Sequence, residues 1–210
     1  MKKLFGKQNN KGMTYVELIV VLSIFSIMSS IILFNYREFQ GKVDIKNLAS
    51  DIALKVVEAQ KASLSGSLPP ATSQYPVTTT WKPSFGVYFD TTSENNKKNF
   101  IYFTDLDNTT PSQNGVFDGS GSGCTGECLE QITITKGDYI SKLEVFYQNN
   151  PTPVNLDDLT ISFSRPNSGA VLVSGVNKLV DVSYAQITIA STSSSIAIIK
   201  LYPSGRIQVN

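Results

Sequence analysis

The chain has 210 residues, 41% of them hydrophobic, with 18 lysines and arginines against 17 acids and no histidine. That length fits one domain or one domain plus an anchor, and so balanced a charge gives no global electrostatic case for nucleic acid or an acidic partner. Without histidine the commonest general base and metal ligand are missing; no nucleophile–base set or paired-acid motif argues for an enzyme, and no cofactor is expected.

The first segment, residues 1–12, carries Lys2, Lys3, Lys7 and Lys11 and no acid, a composition that stays on the cytoplasmic side of a membrane. From Val16 to Phe34 the residues are almost continuously apolar, broken by four serines and by Glu17. About 20 apolar residues in a helix span a hydrocarbon core. A secretory signal peptide has a shorter core, roughly 7–15 residues, and a small-residue cleavage site; here the run passes into Asn35-Tyr36-Arg37-Glu38. A plain signal anchor explains the lysines and the span but neither Gly12 nor Glu17. An acid within a span is costly and is a functional hypothesis by default. A cut after Gly12 would supply its partner: the new α-amine of Met13, with a reference pKa of about 8, lies one helical turn from Glu17.

Lys11-Gly12-Met13-Thr14-Tyr15-Val16-Glu17-Leu18 resembles the cleavage and methylation motif of type IV prepilins and type II secretion pseudopilins. The resemblance implies that a membrane prepilin peptidase cuts between Gly12 and Met13, that Met13 is N-methylated, and that Glu17 aligns subunits during assembly. Gly12 would be needed because the peptidase pocket has no room for a side chain. Relatives usually begin the mature chain with phenylalanine, so Met13 is a departure. The implied partners are the peptidase, other pilin or pseudopilin subunits, the inner-membrane assembly machinery and, before assembly, lipid. The implied location is the cytoplasmic membrane, with the globular part exported.

The helical pattern continues through Ile45, Leu48, Ala49, Ile52, Val56 and Ala59, which recur at helical spacing. One helix over 13–64 is expected, with its span at about 16–34. Gly41 within it reads as a surface position or as a flexible joint. Many relatives have a proline after the span; Leu33-Phe34-Asn35 has none. Residues 65–84, with Pro69-Pro70, Pro76 and Pro83, read as a connecting loop, with Trp81 packing at its end.

Residues 85–210 switch to strand periodicity. The expected strands are 85–89, 100–104, 131–135, 142–147, 159–164, 170–173, 185–190, 196–201 and 206–209. A long helix followed by strands argues an α+β fold, the helix laid on an antiparallel sheet. Phe85-Gly86-Val87-Tyr88-Phe89, Ile101-Tyr102-Phe103-Thr104-Asp105, Ile161-Ser162-Phe163 with Pro166 and Gly169, and Leu201-Tyr202-Pro203-Ser204-Gly205-Arg206-Ile207 resemble the GspH/FimT class of minor pilins and pseudopilins. That resemblance implies a type IV pilin-like fold and a minor, often tip-proximal, subunit.

Three sites are open on sequence. Cys124 and Cys128 are too few for a structural zinc site without histidine; in an exported domain they read first as a disulfide that pins a loop and second as two free thiols. Asp105, Asp107, Asn108, Gly115 and Asp118 read first as a polar loop with Asx-turns and second as an oxygen-ligated calcium site without EF-hand spacing. Lys200 and Arg206 are a nucleic-acid candidate, since some FimT relatives bind DNA during uptake and carry a second arginine here. Gln208 stands at that place, and two cations make a thin phosphate patch. DNA is therefore not expected as a partner; a DNA-binding competence pilin is the alternative function.

Overall fold

A computed structural model describes residues 12–68, 83–106, 114–119, 124, 126–192 and 195–210. The leader lysines and most of the connecting loop, Trp81 included, lie outside the described residues. The chain divides into two compact units, Met1–Gln40 and Gly41–Asn210.

One helix, α1 (Tyr15–Ser65), contributes to both units. It starts at a capping box: the Glu17 amide donates to the Thr14 hydroxyl at 3.3 Å and the Thr14 amide to the Glu17 carboxylate at 3.5 Å, which satisfies two donors that a helix start leaves free. It ends in a Schellman motif. The Ser67 amide donates to the Ala62 carbonyl and the Gly66 amide to the Ser63 carbonyl, with Gly66 at φ +69°, a conformation that costs glycine nothing. In the first unit, Tyr15–Leu33 has a mean hydropathy of 2.5 and none of it is buried; it is long and apolar enough to cross a membrane. Gly41 is helical and half-buried.

The second unit is α+β. The expected single sheet is corrected to two, both antiparallel. The first has six strands in the order β3 (Cys128–Thr133), β2 (Asn99–Thr104), β1 (Phe85–Asp90), β6 (Asp158–Phe163), β7 (Val171–Ser174) and β8 (Asn177–Lys178). The second has five, ordered β11 (Ile207–Val209), β10 (Ile196–Leu201), β9 (Val182–Ala190), β4 (Tyr139–Tyr147) and β5 (Asn150–Leu156). Two strands were not expected. β5 carries Pro151 and Pro153, which read against a strand and are tolerated because β5 is at an edge; β8 is only two residues long.

Ile45, Ala49, Ile52, Val56 and Ala59 of α1 form one stripe and are all buried, while Leu48 is only partly so. The stripe shares one core with inward residues of both sheets, among them Val87, Phe89, Ile161 and Phe163 of the first and Leu143, Ile187, Ile189 and Ile199 of the second. Each such side chain stabilises the fold by about 1.5–3 kcal/mol when fully buried. The five-stranded sheet alternates cleanly, as in β10, where Ala197, Ile199 and Leu201 point inward. β2 and β6 do not alternate: five of six residues in each are buried. The outer face of the six-stranded sheet has its own small cluster, in which Phe117 packs on Ile101 and Phe103.

Candidate functional site

The N-terminal residues come first. Gly12 precedes the cap and is exposed, and a Cβ built there would meet no atom within 4 Å. The described fold thus places no steric demand for glycine at this position. Glu17 sits in the first turn of α1, exposed, tied to Thr14 by the capping box. The sequence carries that signal as Thr-x-x-Glu, a role that pairing Glu17 with the Met13 amine does not anticipate. From Val16 onward the turns of this helix expose Leu18, Ile19, Val20, Leu22, Phe25 and further apolar side chains up to Leu33. Ser23 returns its hydroxyl to the Val20 carbonyl at 2.8 Å, so this polar group is satisfied within the helix, as a membrane requires.

Cys124 and Cys128 are joined by a disulfide. Cys128 opens β3 and pairs with Phe103 across the ladder, so the bridge ties the loop before it to the edge of the six-stranded sheet. Between the cysteines lies Glu127, a residue the sequence reading passed over. Its carboxylate accepts the Leu106 amide at 3.0 Å and the Asp118 amide at 2.8 Å, and the residue is 7% exposed. Burial pushes this carboxyl up to about 7, with the charges of Asp105 and Asp118 adding to the rise and the two amide donors opposing it. Only the compact structure reveals it, because nothing in Thr-Gly-Glu-Cys distinguishes a buried acid from a solvated one.

The acids weighed for calcium serve the same loop. Asp105 is fully buried and accepts the Gly115 amide at 2.9 Å and the Ser84 hydroxyl at 3.2 Å. Asp118 is exposed and takes a hydrogen bond from the Asn114 amide group at 3.2 Å. Asp107 and Asn108 lie outside the described residues. Among the described residues, no three histidine, cysteine or acid side chains are grouped to hold a metal ion. Both loop acids thus serve as hydrogen-bond acceptors within the loop, and the Asx-turn bond here is made by Asn114, which accepts the Val116 amide at 2.8 Å.

Lys200 and Arg206 lie at the outer face of the five-stranded sheet. Phe146 stacks on Tyr184 at 4.5 Å and Tyr184 tilts against Tyr202 at 5.8 Å. Lys200 lies over the Tyr184 ring at 4.8 Å and Arg206 over the Tyr202 ring at 3.9 Å. Gln208 accepts the Tyr202 hydroxyl at 3.3 Å. Both cations are thus held by rings of their own sheet, an arrangement that stabilises a ladder and also presents cations beside aromatic edges. The motif around Arg206 has a structural use as well: Gly205, at φ +84°, lies against Gln60 of α1, whose side-chain amide donates to the Ser168 carbonyl at 2.8 Å.

Comparison with known protein families, with characterised proteins and with solved structures gives no match to this chain.

Proposed function

We propose that the chain is a prepilin-type subunit: a minor type IV pilin or type II secretion pseudopilin with a pilin-like fold. It is inserted through Tyr15–Leu33, clipped after Gly12, N-methylated on Met13 and assembled through its apolar helix. The observation that carries this reading is the juxtaposition at the start of α1. A glycine that the described fold does not require stands just before an exposed, membrane-length apolar helix with one acid in its first turn. A peptidase with a pocket closed to side chains accounts for the glycine. A helix bundle, first in lipid and then in a fibre, accounts for the apolar surface. In that bundle Glu17 pairs with the Met13 amine of its own or a neighbouring subunit. The globular part is the portion that the assembled subunit displays.

Gly12→Leu co-expressed with a prepilin peptidase tests the reading. The variant should keep its full mass while the parent loses residues 1–12, as read by intact mass spectrometry; equal processing of both contradicts it.

The second reading, a DNA-binding pilin of an uptake system, is favoured by one observation, the Lys200 and Arg206 cations beside the Phe146–Tyr184–Tyr202 ladder. Aromatic edges and cations together suit a nucleic-acid strand, and binding would weaken steeply with salt.

A further inference from the structure

The chain has one Asn-Gly pair, Asn114-Gly115, and it stands just before Phe117. In such a pair the following backbone nitrogen can attack the side-chain amide carbon, and glycine, with no Cβ, leaves that approach open. Three hydrogen bonds surround the reacting atoms. The Asn114 side-chain carbonyl accepts the Val116 amide at 2.8 Å, which closes a ring that contains both the Asn114 Cγ and the Gly115 nitrogen. The Asn114 Nδ2 donates to the Asp118 carboxylate at 3.2 Å. Together these bonds fix which way the amide faces, because a flipped amide would set donor against donor and oxygen against carboxylate. The Gly115 N–H donates to the Asp105 carboxylate at 2.9 Å.

Each bond has a chemical use. A donor on the carbonyl oxygen stabilises the negative charge that develops there when the carbon is attacked. A carboxylate on the N–H of the attacking group stands where a general base must stand, within hydrogen-bond reach of the proton it takes. Asp105 is fully buried and held in place by the Ser84 hydroxyl as well, so it is a positioned base. Asp118 orients the nitrogen that departs. Asn114 itself is exposed, so water reaches the product.

We propose that Asn114-Gly115 is a self-modifying site, converted by its own fold through a cyclic imide to aspartate or isoaspartate. The Gly115 nitrogen bonds the Asn114 Cγ and gives its proton to Asp105. The Cγ–Nδ2 bond breaks; Nδ2 takes up a proton from solvent and leaves as ammonia, and Asp105 returns its own proton to solvent. Water then opens the ring at either carbonyl. The sum is amide plus water giving acid plus ammonia, with no redox change. The loop thereby exchanges a neutral donor for a carboxylate that faces Asp118, so a hydrogen bond is lost and a like charge gained. The site does not rest on the prepilin reading.

The test incubates the full chain in detergent micelles and follows residue 114 by peptide mapping with mass spectrometry. Loss of ammonia marks the imide, replacement of the amide by a carboxyl marks the products, and enzymatic methylation scores isoaspartate. The reference is the same chain unfolded in guanidinium chloride at equal pH and temperature. The folded chain should convert about tenfold faster or more, because its fold holds the reacting groups together. Asp105→Asn should slow the folded rate about a hundredfold, as loss of a positioned base does. Asp118→Asn, at an exposed position, should slow it several-fold without a folding risk. The proposal is overturned by a folded chain that converts no faster than the unfolded one, by a folded Asp105→Asn chain that keeps the parent rate, or by unchanged conversion in Asp118→Asn. If Asp105→Asn does not fold, the folded–unfolded comparison and Asp118→Asn still decide.

Discussion

The Glu127 carboxyl makes the loop before β3 sensitive to pH, and the size of the effect follows from its surroundings. In an open loop the carboxyl is solvated and titrates at its ordinary value of 4.5; in the closed structure burial raises it to about 7. The closed state therefore holds a proton more readily. Its full stability is present below about pH 4.5 and is lost as pH rises through about 7. Each pH unit of that interval is worth 1.36 kcal/mol, so the closed loop loses about 3 kcal/mol across it. The assay is hydrogen exchange of the Leu106 and Asp118 amides, which both donate to Glu127. After correction for intrinsic exchange, their protection should fall roughly a hundredfold between about pH 5 and pH 8. Glu127→Gln should abolish that dependence. It should also lower protection at acid pH, since an amide oxygen accepts only one of the two donors and an unmatched buried N–H costs about 1–3 kcal/mol. Protection that is flat with pH in the parent chain, or that rises with pH, would refute the reasoning.

Two further outcomes follow from the structure. Gly205→Ala should destabilise the chain by about 2–4 kcal/mol, because the added Cβ would meet the Gln60 amide nitrogen, as well as the Ser168 carbonyl at 2.6 Å, at φ +84°; a melting temperature within about 1 °C of the parent would contradict it. Thr14→Ala and Glu17→Ala separate the two roles of the N-terminal acid. Both remove the capping box, at a cost of about 1 kcal/mol, but only Glu17→Ala removes the charge that the proposed assembly role requires. Fibre incorporation should therefore drop for Glu17→Ala and persist for Thr14→Ala, and equal loss in both would reduce Glu17 to a helix cap.

Much of the architecture was legible in the sequence, because it rests on local patterns. The apolar run, the stripe Ile45–Ala49–Ile52–Val56–Ala59 and the alternation in β9 and β10 are one-dimensional records of which face is buried. The helix ends carry local signals as well, the capping box Thr14-x-x-Glu17 and the left-handed Gly66, neither of which the expected helix bounds rest on. What the sequence left open was everything that depends on a second surface. Short strands do not announce which sheet they join, so one sheet was expected where there are two. β2 and β6 are buried on both faces because the loop carrying Phe117 folds over the first sheet, a contact between distant segments. The chemistry divides in the same way. Gly12 and Glu17 stand out by position along the chain, next to an apolar helix long enough to cross a bilayer. Glu127 looks like any other acid until burial removes its water, and desolvation is a property of the packed neighbours. The sequence by itself determined an apolar helix long enough to cross a membrane, the acid in its first turn and most of the secondary structure. Tertiary packing alone decided which carboxylates are starved of solvent, because a charge's environment is set by atoms that lie far from it in the chain.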